Sequence, residues 1–296
     1  MQILLLLLPD FSLIALGALM YRITRWGNEF WSGLEKLVYY LLFPALLFLS
    51  TARLQLHFDT TGKLLLAGML ACLGGIVLTW LGKPFINTAP ITYASGMQTA
   101  YRFNSYMALA LASRLGGQEG VSLMALLLGF GVPLCNMAAV HALAHRSGNV
   151  LRELKKNPLL IATASGLLFS AAGLHLPELL EAALSRLGMA SIALGLLTVG
   201  AGLRLSSASD NKLMSAYFTA IKLLAVPALG YGLGCSLALP ALQLQIVVLF
   251  CALPTAASCY VLATRMGGDG PATAFLISLG TLASAVTIPF WLTLLQ

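Results

Sequence analysis

Ten stretches of mostly apolar residues follow one another along the chain, each close to the length that crosses a lipid bilayer. A membrane-spanning helix needs roughly 20 apolar residues, and its backbone must satisfy its own hydrogen bonds because lipid offers none. The pattern therefore predicts an all-α membrane protein with ten transmembrane helices. The stretches cover roughly 3–21, 34–52, 62–82, 86–113, 120–144, 158–174, 179–203, 212–238, 241–264 and 271–294.

The composition excludes the soluble classes of protein. Hydrophobic residues make up 59% of the 296 residues and charged residues only 9%, whereas a soluble domain has about 25% charged residues. A net charge of +7 would favour nucleic-acid binding in a soluble protein, but here basic membrane loops explain it. We therefore expect no nucleic-acid partner. No basic residue precedes Leu4 and no cleavage site follows before Arg22, so we expect the first stretch to be retained as a span.

The chain divides near its midpoint into two halves of similar organisation. The longest polar stretch, 146–157, has five apolar stretches on either side, and a shift of about 150 residues places Gly120 on Gly270. Because five is odd, the second half must enter the membrane from the opposite face, as in the inverted repeats of many secondary transporters. We therefore predict two inverted five-helix repeats, 1–150 and 151–296. An undifferentiated ten-helix bundle is the alternative.

The basic residues predict the orientation of the chain. Alternate loops divide them 11 to 4, and the richer side is expected to be cytoplasmic. Both termini then face outward, and the 146–157 linker lies in the cytoplasm. The richer side has Arg22, Arg25, Lys36, Lys83, Arg146, Arg152, Lys155, Lys156, Arg204, Lys212 and Arg265, and the other has Arg53, Lys63, Arg114 and Arg186.

The fourth and ninth stretches are predicted to be interrupted helices. Arg102 lies near the centre of the fourth, and Asn104 beside it is a residue type that starts helices. In the ninth, Pro254 removes a backbone donor, which Thr255 and Ser258 can offset. A simple kink is the alternative for Pro254 alone. Matched interruptions in the two halves are the best sequence indication of a transport site.

Few ionisable residues lie within the spans, and their charge favours an anionic ligand. An arginine at the bilayer centre costs about 2.5–3.5 kcal/mol, so Arg102 should face protein or water. Lys222 lies about ten residues past Lys212, roughly 15 Å deep at 1.5 Å per residue, and Asp10 is the only acidic residue that the pattern places inside a span. Asp10 and Lys222 are candidates for coupling or charge pairing, with snorkelling as a further alternative for Lys222. Asn136 is a further candidate for substrate binding.

Several motifs resemble those of the auxin efflux carrier family, and together they extend over essentially the whole chain. The motifs are Arg102-Phe103-Asn104-Ser105-Tyr106, Asn157-Pro158, Val199-Gly200-Ala201-Gly202-Leu203-Arg204, Ala252-Leu253-Pro254-Thr255-Ala256-Ala257-Ser258 and Met266-Gly267-Gly268-Asp269. The resemblance implies ten spans with crossed, broken fourth and ninth helices, as in bile-acid symporter-like and sodium/proton antiporter-like folds. Family members include plant auxin exporters and bacterial transporters linked to malate or malonate. Cys259 departs from the small residue common at its position, and the absence of a long central loop indicates a bacterial inner-membrane member.

These observations predict a secondary transporter of small organic anions, such as carboxylates or dicarboxylates, that works by alternating access. A sodium- or proton-coupled symporter of another solute is the alternative, and a channel is a more distant one. We expect no enzyme, since a single intramembrane carboxylate provides no catalytic pair, and no catalytic residue, metal site or cofactor. The five cysteines form no C-x-x-C pair. Coupling to Na⁺ or H⁺ stays open, as does a homodimer.

Overall fold

The structure is a computed structural model that describes residues 2–24, 26–53, 58–143, 158–203, 211–256 and 258–295. Within these ranges all regular secondary structure is helical, which confirms the all-α prediction. The α-helices are α1 (Gln2–Ile23), α2 (Gly27–Leu37), α3 (Phe43–Ala52), α4 (Phe58–Gly82), α5 (Pro90–Met97), α6 (Ser105–Leu143), α7 (Pro158–Ala171), α8 (Glu178–Ala201), α9 (Lys212–Ala220), α10 (Val226–Ser236), α11 (Ala241–Ala252), α12 (Ser258–Arg265) and α13 (Gly270–Leu294). The predicted cytoplasmic linker at 146–157 lies outside the described residues.

Six helical stretches among the described residues are long and apolar enough to cross a membrane. They are Gly27–Leu49, Thr61–Phe85, Pro90–Leu143, Glu178–Ala201, Lys212–Ser236 and Gly270–Leu294. The third contains 54 residues, more than twice what one crossing needs, and Gly117 at φ +53° turns the chain within it. Shorter apolar helices cover Phe11–Ile23 and Ala241–Ala252. A multi-pass membrane protein is therefore confirmed, while the count of ten and the inverted repeat stay predictions.

Two π-helical turns interrupt long helices, and each lies just before a proline. Val38–Leu42 joins α2 to α3, which has Pro44 at its start, and Ile221–Ala225 joins α9 to α10, which has Pro227 at its start. Proline has no N–H and displaces the carbonyl four residues earlier. At Pro227 that carbonyl belongs to Leu223, and the Trp291 indole donates to it over 2.8 Å. A side chain of α13 therefore satisfies the acceptor that the proline leaves free.

Helices α1 and α8 approach so closely that their backbones touch at glycines. A Cβ atom on Gly200 would lie 1.8 Å from the Ile14 carbonyl oxygen, and one on Gly17 would lie 2.1 Å from the Leu197 oxygen. Small residues allow this kind of contact between helices in a membrane, where van der Waals packing contributes much of the attraction.

The helices form two packed groups, and each group contains helices from both halves of the chain. In the first group α1 packs on α8, and α3 packs on α7 and α8. In the second group α4, α6 and α10 surround α11, and α13 packs on α11 and α12. The two interrupted stretches belong to the second group, and α6 also contacts the first.

The second span begins earlier than the sequence pattern indicated. The structure starts the helix at Gly27, whereas the apolar stretch began at 34. Helix α2 is amphipathic, and its polar residues obscured the apolar run that continues through it. Glu35 lies inside both the predicted stretch 34–52 and the helical stretch Gly27–Leu49, so the prediction that Asp10 is the only acidic residue within a span was wrong.

Candidate functional site

The first interruption lies between α5 and α6. A 3₁₀ turn, Gln98–Ala100, ends the first part, and α6 begins at Ser105. The Asn104 side-chain oxygen accepts hydrogen bonds from the backbone N–H groups of Tyr106, at 3.0 Å, and Met107, at 3.2 Å. Asn104 is thus the N-cap of α6, since it satisfies two N–H groups that lack helical partners. The predicted interruption at Arg102 to Asn104 is confirmed.

The second interruption lies between α11 and α12. Helix α11 ends at Ala252, and Leu253 is extended, with ψ 140°, as steric contact with a following proline requires. Helix α12 begins at Ser258. The described residues 253–256 are not helical, which confirms the predicted interruption from Pro254 to Ser258 up to that point, while Ala257 lies outside the described residues. Pro254 is the local cause.

The two interruptions meet inside the protein. The Asn104 backbone N–H donates to the Pro254 carbonyl over 2.8 Å. The Gln98 amide nitrogen donates to the carbonyls of Ser95 and Cys259, at 3.2 and 3.1 Å. The Asn104–Pro254 and Gln98–Cys259 hydrogen bonds therefore join the two stretches, and the first of them satisfies backbone groups at the breaks, as expected for non-helical segments buried in protein.

Arg102 lies at this junction and is 9% exposed, and its hydrogen-bond partners among the described residues are neutral. Its guanidinium donates to the Gln98 side-chain oxygen at 2.8 Å, to the Ser258 hydroxyl at 3.0 Å and to the Ser258 carbonyl at 3.5 Å. Among the described side chains, no carboxylate forms an ion pair with it. The Asp10 side chain lies outside the described set, so its pairing with Arg102 stays a prediction.

The electrostatic balance of the junction favours an anion. A buried charge is costly unless an opposite charge and hydrogen bonds compensate it, and the described partners of Arg102 provide only hydrogen bonds. Helices α6 and α12 both begin here, at Ser105 and Ser258. Helix N-termini have positive partial charge, which adds to that of the guanidinium.

The remaining predicted residues differ in how they relate to the junction. Thr255 is 2% exposed, and its hydroxyl lies 3.2 Å from the Cys259 sulfur. Lys222 is 3% exposed and donates to the Cys251 carbonyl at 3.1 Å, just before the second interruption. This burial excludes snorkelling. Asn136 is half-buried in α6, and its side chain has no hydrogen bond to any described residue.

Two further residues belong to the junction: Gln98, which the sequence offers as an uncharged polar candidate, and Tyr101, to which it assigns no role. Gln98 lies four residues before Arg102, and that helical spacing alone brings the two side chains together. Tyr101 is completely buried, and its hydroxyl has no hydrogen-bond partner among the described residues. Nothing in the sequence distinguishes Tyr101 from a core aromatic residue. The described residues contain no cluster of three or more metal-ligating side chains.

Comparison with known proteins gives the family. A family model described as "Membrane transport protein" matches residues 142–292, about half of the chain. The chain belongs to this family, the auxin efflux carriers. A protein of Rhizobium meliloti (strain 1021), named "Putative malonate transporter", is 25% identical over 296 residues, which cover 96% of this chain and 92% of the relative. The resemblance of the sequence motifs to the auxin efflux carrier family is thereby confirmed.

Proposed function

We propose that this family member is a secondary transporter of small organic anions, with carboxylates and dicarboxylates as its substrate class. The observation on which the proposal depends is Arg102, a 9% exposed cation whose described partners are all neutral. Its planar guanidinium can form two parallel hydrogen bonds to one carboxylate. The name of the Rhizobium meliloti relative, which refers to malonate, is consistent with such a substrate.

The binding site would be formed by Arg102, Asn104, Asn136, Pro254, Thr255 and Ser258. Asp10 and Lys222 would serve coupling or charge balance. Alternating access would expose the junction first to one side of the membrane and then to the other. The division of the helices into two packed groups supports such a movement, because one group can shift against the other.

The same proposal includes ten spans in two inverted repeats, 1–150 and 151–296, in a bacterial inner membrane with both termini outside. The 54-residue stretch Pro90–Leu143, turned at Gly117, supports a count above six. The carrier would have no cofactor and no catalytic activity, and a homodimer is the assembly to test.

Counterflow in proteoliposomes tests this function. Vesicles preloaded with unlabelled malonate are expected to accumulate labelled malonate transiently, whereas a channel would show no acceleration by the internal substrate. Transport rates for mono- and dicarboxylates of different length would define the substrate. The same measurements with pH, sodium and membrane potential clamped separately would define the coupling. The proposal would be contradicted if protein that thermal unfolding measurements show to be folded gave no counterflow with any carboxylate.

A further inference from the structure

Lys222 is a second buried cation, and it lies outside the network that surrounds Arg102. It belongs to the π-helical turn Ile221–Ala225 within the Lys212–Ser236 span, and only 3% of its surface is exposed. Its ammonium has three N–H donors, and the structure gives it one acceptor among the described residues, the Cys251 carbonyl at 3.1 Å. The described residues also include no ion pair for Lys222. Burying a lysine with so few partners inside a span is energetically costly, which indicates that Lys222 has a functional role.

The acceptor of the Lys222 hydrogen bond, the Cys251 carbonyl, indicates what this role is. In a continuous helix the Cys251 carbonyl would accept from the N–H of residue 255, but the helix ends at Ala252 and Pro254 follows. The Lys222 ammonium therefore binds a carbonyl that the second interruption leaves free. The C-terminal end of a helix also has negative partial charge, which a cation stabilises.

The end of an interrupted helix is where cation-coupled carriers bind their ion. In such carriers, free carbonyls and the C-terminal ends of half-helices coordinate Na⁺, while half-helix N-termini face the anionic substrate. In this chain α11 presents its C-terminal end to Lys222, and α12 begins close to Arg102. The ammonium thus has the position, charge and ligand type of a coupled cation.

We propose that Lys222 is a tethered substitute for a coupling cation, which holds the carbonyl end of α11 so that the anion site forms without sodium. The inference rests on the proposed function, because it concerns how that anion is bound. It makes Lys222 a positioning residue: it touches the half-helix and acts on the substrate through the second interruption.

The π-helical turn contributes to this placement. Pro227 frees the Leu223 carbonyl, which accepts a hydrogen bond from the Trp291 indole at 2.8 Å. The turn thereby stays fixed against α13, and the position of Lys222 opposite Cys251 depends on it. π-helical turns of this kind occur frequently at functional sites.

The test compares cations in proteoliposomes. The wild-type carrier is expected to exchange malonate at equal rates in sodium and in N-methylglucamine. Lys222→Met, which keeps an unbranched side chain one atom shorter but removes the charge, should lose at least tenfold in rate, and sodium or methylammonium should restore activity several-fold. Lys222→Arg should retain more activity than Lys222→Met. The matched control is Lys212→Met, an exposed residue at the start of the same span, which should leave the rate unchanged.

Thermal unfolding of the purified proteins provides a readout that is independent of transport. Sodium or methylammonium should raise the unfolding temperature of Lys222→Met and leave that of the wild type unchanged. If Lys222→Met cannot be recovered folded, Lys222→Gln replaces it, since an amide can still donate to the Cys251 carbonyl without a charge.

Three results would overturn the inference: a wild-type carrier that requires sodium, a Lys222→Met carrier as active as Lys212→Met without small cations, or a folded but inactive variant that neither cation affects. A wild-type protein that exchanges no carboxylate in either cation would refute the proposed function instead. The thermal measurement on Lys222→Met would still decide the role of Lys222.

Discussion

The Asn104 side chain allows the stability of the first interruption to be separated from its electrostatics. Its oxygen accepts from Tyr106 and Met107 and is the cap of α6, and the residue is only 2% exposed. Asn104→Ala removes the cap. Loss of an N-cap costs about 0.5–2 kcal/mol, and a buried donor left without a partner costs about 1–3 kcal/mol. We therefore expect Asn104→Ala to lose about 1–3 kcal/mol of stability.

Asn104→Asp should have a different effect. A carboxylate still accepts from both N–H groups, and a negative charge is favourable at a helix N-terminus, so stability should equal or exceed that of the wild type. The same carboxylate lies two residues from Arg102 and would compete with the substrate for it. A hydrogen bond to a charged group contributes about 1.5–3 kcal/mol, which corresponds to about tenfold to a hundredfold weaker anion binding.

The two effects can be measured on the same preparations. The unfolding temperature without ligand measures the stability lost with the N-cap. The shift of that temperature with increasing malonate measures anion binding. Asn87→Asp adds the same charge at an exposed position and serves as the control. A folded Asn104→Asp protein that binds malonate as tightly as the wild type would refute the idea that Arg102 provides the charge for the anion.

Further predictions concern the site, the packing and the topology. Arg102→Lys should keep the charge but weaken malonate binding, while Arg102→Gln should nearly abolish exchange, because only a guanidinium forms the paired hydrogen bonds; unchanged binding by a folded Arg102→Gln protein would leave the arginine a structural role. Gly200→Ala should cost about 1–3 kcal/mol in thermal stability, since its Cβ would lie 1.8 Å from the Ile14 oxygen, whereas Gly232→Ala meets nothing within 4 Å and should be tolerated. A cysteine at Ser147, in a background without native cysteines, should react with impermeant reagents only after the membrane is opened. Labelling in intact cells would show that the predicted orientation is wrong.

The sequence was sufficient to predict features that depend on neighbouring residues. Pro254 has no N–H, and Asn104 is a strong N-cap type, so the residue types alone locate both interruptions. The long apolar stretches require helices for a similar local reason, since lipid provides no hydrogen bonds for the backbone. The beginning of the second span was missed because Gly27, Asn28 and Glu29, the first residues of α2, interrupt the apolar pattern.

The tertiary structure decided which residues meet across the interruptions. Arg102 contacts Ser258, and Lys222 contacts Cys251, over separations of 156 and 29 residues. No local pattern specifies such pairs, because they depend on how the packed helices position the two breaks. The sequence could therefore show that two cations are buried in the spans, but only the fold shows that one faces neutral side chains at the junction and the other holds the carbonyl end of a half-helix. That difference arises because a buried charge is stabilised by whatever groups the surrounding helices place next to it.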